Sequence, residues 1–208
     1  MIWILLLAAY LIGSIPTALI VGKLVFDIDI RDHGSHNPGA TNTLRVLGKK
    51  AAIFVLIVDV DKGVLAALLP QFFAIEADPL YFGLIAVVGH CFPIFAGFRG
   101  GKAIATTAGA LLVANIWMLL VAYLSFFLVI YLTKYVFFGS ISVGLVLLAY
   151  SLFMNNQHYE WIFSIFSIFL IVLHRSNIRN FFLDIEPKIN DKNLKKDRIP
   201  PKGNTIGK

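Results

Sequence analysis

The stretch RDHGSHNPGATNTLR, residues 31–45, sets glycine, serine, asparagine and threonine between two arginines. Residues of this kind let a backbone turn back on itself and aim N–H groups and hydroxyls at an anion. Arg45, Lys49 and Lys50 close the stretch with cationic donors. Such glycine- and asparagine-rich loops also serve as plain turns, so the second polar stretch, GFRGGKAIATTAG, carries weight. There Gly100 and Gly101 precede Lys102 at the start of an apolar run, the pattern of an anion site at a helix N-terminus. A nucleotide triphosphatase loop is excluded, because Ala103 stands where Ser or Thr should hold magnesium and no strand precedes it. The third stretch is HRSNIRNFFLDIEPK. His174 and Asn177 share a helix face there, one turn apart. Arg175 reads as an ordinary snorkelling residue. A fourth, DVDKG, puts Asp59, Asp61 and Lys62 inside an apolar run, where charges face a cavity or one another. Asp59 and Lys62 can pair; Asp61 points elsewhere and needs a proton, a partner or water.

Composition says what must carry these groups. Of 208 residues, 58% are hydrophobic and only 14% charged, where a soluble domain has about a quarter charged. The apolar runs approach the roughly 20 residues that cross a bilayer as a helix. An all-α polytopic membrane protein of about seven spans is expected. The spans run from Met1 to about Gly22, then about Ala51–Phe73, Leu80–Phe98, Ile104–Ile116, Trp117–Leu132, Ser140–Met154 and Trp161–Leu173. Ile104–Leu132 is long for one helix and short for two; a turn near Asn115 divides it. The first run lacks the basic n-region of a cleaved signal peptide. The lone Cys91 excludes an internal disulfide.

On this count every Lys and Arg except Lys62 falls on one side, which puts the N-terminus outside and the C-terminus in the cytoplasm. Residues 1–186 form one catalytic domain with polar clusters at 31–50, 97–107 and 174–186, all at cytoplasmic span ends. Residues 187–208 form a basic, disordered tail attracted to anionic lipid headgroups. The net charge of +6 belongs mainly to this membrane face, and nucleic acid is not an expected partner. No His, Cys or carboxylate set has metal-ligand spacing, and no Ser is flanked as in G-x-S-x-G. Anion sites beside a bilayer suit chemistry that joins a phosphorylated, water-soluble molecule to an apolar chain. The rival is a transporter or channel for phosphate or small organic anions. That reading expects inverted repeats and a midplane site, whereas no repeat is visible and the polar clusters sit at one edge.

Four segments, GSHNPGATNTLRVLGKK, DVDKG, GHCFPIFAGFRGGKAIAT and HRSNIRNFFLDIEPK, resemble in order the signatures of the bacterial membrane glycerol-3-phosphate acyltransferases of the PlsY family. The resemblance runs from Tyr10 to about Glu186. It implies transfer of a fatty acyl group from acyl phosphate to the 1-position of sn-glycerol 3-phosphate. The products would be lysophosphatidic acid and inorganic phosphate, with no cofactor or metal. Membrane lipids, and the upstream enzyme that forms acyl phosphate, are the implied partners, and the bacterial cell membrane is the implied location.

By motif position, Ser35, Asn37 and Arg45 join His174 and Asn177 as catalytic residues. Thr41, Asn42, Gly100, Gly101, Lys102 and, more weakly, Ser140 would bind substrate or phosphate. Asp59, Lys62, Gly63, His90 and Glu186 would support them. The implied mechanism has Arg45, Lys102 and the glycine-loop amides clamp phosphate, while Ser35, Asn37 and Asn177 donate near the reacting carbonyl. The general base is His174, an imidazole whose ordinary titration near ~6.5 suits the task, or a substrate phosphate. This chain departs from the family pattern in four places. His36 and Ala103 stand at glycine positions, Phe137 in YVFFGS stands at a serine position, and Asp61 adds a charge.

Overall fold

A computed structural model describes residues 1–155, 157–191 and 198–202. All regular structure among them is helical: α1 (Ile2–Gly13), α2 (Thr17–Phe26), α3 (Ala40–Val46), α4 (Lys49–Phe72), α5 (Pro79–Cys91), α6 (Ile104–Ala114), α7 (Ile116–Thr133), α8 (Val136–Phe153), α9 (Gln157–Leu173) and α10 (Arg175–Phe182), with 3₁₀ turns at Ile30–Asp32 and Ile94–Ala96. Each apolar run of the sequence becomes helix. Among the described residues, four stretches are long and apolar enough to cross a membrane: Ile2–Phe26, Pro79–Ala96, Ile116–Thr133 and Val136–Phe153. They become five if the pair α9–α10, bent by 52°, counts as one. The 24-residue α4 has the length but carries Asp59, Asp61 and Lys62, and α6 has only 11 residues.

The breaks have local causes. Pro16, which has no N–H to continue a ladder, sits between α1 and α2. Asn115 adopts an extended backbone, and its side-chain oxygen accepts from the amides of Trp117 and Met118, capping α7. Two helices therefore stand here, divided at the turn expected near Asn115. The described residues form two compact units, one of residues 1–114 with 198–202 and the other of residues 115–155 with 157–191.

In the first unit α4 packs against α1, α3, α5 and α6. A β-carbon on Gly63 would overlap the Thr106 carbonyl, and one on Gly109 the Val60 carbonyl, so α4 and α6 touch backbone to backbone. Ala18, Val21, Phe26, Ile30, Val46, Leu47, Ala51 and Val55 form a buried apolar cluster at the cationic end of α4. Ile199 packs on it. The Ile199 amide donates to the Val46 carbonyl and that of Lys202 to Val25, each at 2.9 Å. That part of the expected disordered tail thus has a fixed seat; residues 192–197 and 203–208 lie outside the described residues.

In the second unit α8 packs between α7 and α9. Tyr135, Phe137, Phe138 and Phe181 form an aromatic cluster tying the start of α8 to α10, with ring centroids of Phe137 and Phe138 4.1 Å apart.

Candidate active site

The first polar loop is braced from inside by Asn42, which is 1% exposed. Its Oδ1 accepts from the Ser35 amide at 2.8 Å, and its Nδ2 donates to the carbonyls of His33 (3.0 Å) and Ile30 (3.3 Å). The sequence assigned Asn42 to phosphate binding. In this structure its amide group shapes the loop, since a buried side-chain amide takes the nearest backbone partners. Around this brace Ser35 and Thr41 are exposed, and Asn37 and Arg45 are partly so. Arg45 comes from the last turn of α3, and its Nε is buried without an acceptor.

Arg31, which sequence reasoning passed over, organises the loop from its other end. Its Nε and Nη2 donate to the two carboxylate oxygens of Asp29 at 2.9 and 2.7 Å, while Nη1 donates to the Ala96 carbonyl at 2.8 Å. Hydrogen bonds from the Arg31 guanidinium hold the Asp29 carboxyl down at about 2, against the opposing effect of burial. The bond to Ala96 joins the first polar cluster to the segment that leads into the second. A carboxylate two residues before an arginine was the available signal.

In the glycine loop the Gly100 amide donates to the Cys91 carbonyl and the Gly101 amide to the His90 carbonyl, both at 3.1 Å. These amides therefore fold the loop onto the end of α5. Lys102, partly exposed, follows directly.

Under the loop lies a buried ionic cluster. Lys62 meets Asp59 Oδ1 at 2.7 Å, so the expected pair forms. Lys62 Nζ also donates to the Ile15 carbonyl at 2.8 Å and lies 3.2 Å from His90 Nδ1. Thr17 donates to Asp59 Oδ1 at 3.0 Å. Asp61, by contrast, is exposed on the opposite side of α4.

In the second unit the helix break between α9 and α10 falls at His174, which is 2% exposed. Its Nδ1 lies 2.8 Å from the Leu170 carbonyl. A carbonyl can only accept, so Nδ1 carries the proton, and Nε2 is the basic nitrogen of the neutral ring. Asn177 Nδ2 donates to Glu186 Oε1 at 2.6 Å. Ser140 is buried, and its hydroxyl donates back to the Val136 carbonyl at 3.1 Å.

A chain of apolar helices long enough to cross a membrane several times is a multi-pass membrane protein. A family model described as glycerol-3-phosphate acyltransferase matches residues 3–183, and the chain belongs to that family. It is 45% identical over 189 residues to the glycerol-3-phosphate acyltransferase of Bacillus subtilis strain 168, covering 91% of this chain and 98% of that one. The Macrococcus caseolyticus enzyme of the same name is 46% identical over 186 residues, covering 89% and 96%. Among solved structures, the glycerol 3-phosphate form of PlsY, an integral membrane glycerol 3-phosphate acyltransferase, matches with a TM-score of 0.82 and 30% identity over 90% of this chain and 95% of that one. The lysophosphatidic acid form matches with a TM-score of 0.79 and 28% identity over 92% and 97%.

Proposed function

We propose that this protein transfers a fatty acyl group from acyl phosphate to the 1-hydroxyl of sn-glycerol 3-phosphate, releasing lysophosphatidic acid and inorganic phosphate for phospholipid synthesis. Family membership and the similarity to PlsY support the acceptor and product. The observation that carries the reading in this chain is the joining of the Arg45 loop to the Lys102 segment through Arg31 and Ala96. Two loops with cationic side chains then face a doubly charged acceptor. The donor is inferred from its chemistry. Acyl phosphate is a mixed anhydride whose phosphate already leaves readily, so these residues need form no covalent intermediate.

The acceptor's 1-oxygen attacks the acyl carbon, the acyl carbon–phosphate oxygen bond breaks, and the hydroxyl proton passes to Nε2 of His174. Arg45 and Lys102 hold phosphate. Positioning two reactants this way is worth roughly 7–11 kcal/mol of barrier. Ser35, Asn37 and Asn177 donate to the developing oxyanion, where losing one donor costs roughly 3–4 kcal/mol. Thr41 lines the acceptor side. Residues 1–186 act as one catalytic domain crossing the bacterial cell membrane seven times, with the N-terminus outside and the chemistry at the cytoplasmic face.

The test is purified protein in lipid given acyl phosphate and glycerol 3-phosphate. Stoichiometric release of inorganic phosphate and lysophosphatidic acid is expected. Activity with acyl thioesters, and none with acyl phosphate, would overturn the donor assignment.

A further inference from the structure

The ionic cluster under the glycine loop ends on a ring that touches the loop itself. A lysine ammonium has three hydrogens and no acceptor. Lys62 has three acceptors within reach: Asp59 Oδ1, the Ile15 carbonyl and His90 Nδ1. His90 Nδ1 is therefore the acceptor in its contact with Lys62, and the neutral ring carries its proton on Nε2. That edge of the ring faces Gly101, where a β-carbon would overlap Nε2. A β-carbon on Gly100 would likewise overlap the His90 carbonyl. The loop can lie where it does only because these residues are glycines and the ring stands at one height. Thr17 on α2, Asp59 and Lys62 on α4 and Ile15 at the α1–α2 break set that height.

We infer that His90 is a positioning residue for Lys102: Lys62 fixes the tautomer and tilt of its ring, the ring seats Gly101, and the seat sets where the next residue presents its ammonium. The inference rests on the reading of Lys102 as a phosphate-holding group. It gives the buried pair a role in substrate affinity, beyond holding helices together. A charged group in a phosphate site misplaced by about an ångström can cost up to about a hundredfold.

The test is a size exchange across the contact. Gly101→Ala adds the clashing carbon, and His90→Asn keeps an acceptor for Lys62 while removing the ring edge that fills the space. The KM for glycerol 3-phosphate, kcat and thermal melting are measured for each variant, for the double variant and for Lys102→Ala. Each of the two single variants is expected to raise the KM more than it lowers kcat. The double variant should recover at least about tenfold relative to the product of the two single effects, as expected of groups in direct contact. Independent multiplication of the effects, or coupling seen in melting but not in KM, overturns the positioning role. Should Gly101→Ala not fold alone, its rescue to folded, substrate-binding protein by His90→Asn supports the seat, and failure of the pair overturns it. An unchanged KM in Lys102→Ala defeats the phosphate-holding reading separately, whatever the coupling between residues 90 and 101.

Discussion

Arg31 grips the Asp29 carboxylate with two nitrogens and reaches the Ala96 carbonyl with a third. One planar guanidinium thus aligns two loops that lie far apart in sequence. Lysine at this position keeps the charge but cannot make the fork and the reach together. Arg31→Lys is therefore expected to raise the KM for glycerol 3-phosphate several-fold with a smaller change in kcat, measured in a phosphate-release assay.

The same pair has a pH signature. Asp29 titrates at about 2 in the folded protein, below its ordinary 3.8. Its folded value is depressed, so its contribution to stability is complete above about 4 and is lost as the pH falls through 2. The melting temperature of the wild type should exceed that of Asp29→Asn at neutral pH. The gap should close between about pH 4 and pH 2. A gap that persists unchanged at pH 2 counts against the ion pair as its source.

Two non-glycine residues of the polar loops carry strain. Ala103 has φ of 53° and His36 φ of 58°, left-handed values that disfavour any residue with a β-carbon. Ala103→Gly should stabilise the protein by up to about 1 kcal/mol. His36→Gly should change stability little, because strain relief is offset by the lost contact between its Nδ1 and the Arg31 carbonyl at 3.0 Å. Denaturation of both variants in one detergent ranks them; a destabilised Ala103→Gly would contradict the strain.

The sequence displayed its candidate residues better than the wiring between them. Arg45, Lys102, His174 and Asn177 stood out because polar residues beside apolar runs have few purely structural reasons to be there. The Asp59–Lys62 pair was legible from its spacing on one helix. What escaped was every role set by a loop's path in space. The amides of Gly100 and Gly101 looked available until the loop folded back onto the carbonyls of His90 and Cys91. The inward turn of Asn42 onto backbone partners has no signal in the sequence either. Ile199 has too few apolar neighbours in sequence to show a period, so its seat on the cluster around Val46 could not be anticipated.

Phe137 is 2% exposed and packs among Phe138, Phe181 and Tyr135. Phe181 lies on α10 with Asn177. Serine at this position removes a ring from a packed cluster, a truncation costing about 3 kcal/mol or more. Phe137→Ser should melt markedly lower and lose turnover as α10 loosens. A variant as stable as the wild type would show that the cluster contributes no packing energy.

His174 offers the sharpest test of the chemistry. With Nδ1–H held by the Leu170 carbonyl, only Nε2 can accept a proton. Glutamine keeps a polar group of similar reach but no basic nitrogen. His174→Gln should lower kcat by about 10²–10⁴, the usual contribution of a general base. The acid limb of the pH–rate profile should disappear with it. Near-normal turnover with an unaltered profile would transfer the role to a phosphate of the bound substrates. In that event Arg45 and Lys102, by their pull on that phosphate, would set its basicity, and charge-conserving changes at either position would move the profile instead.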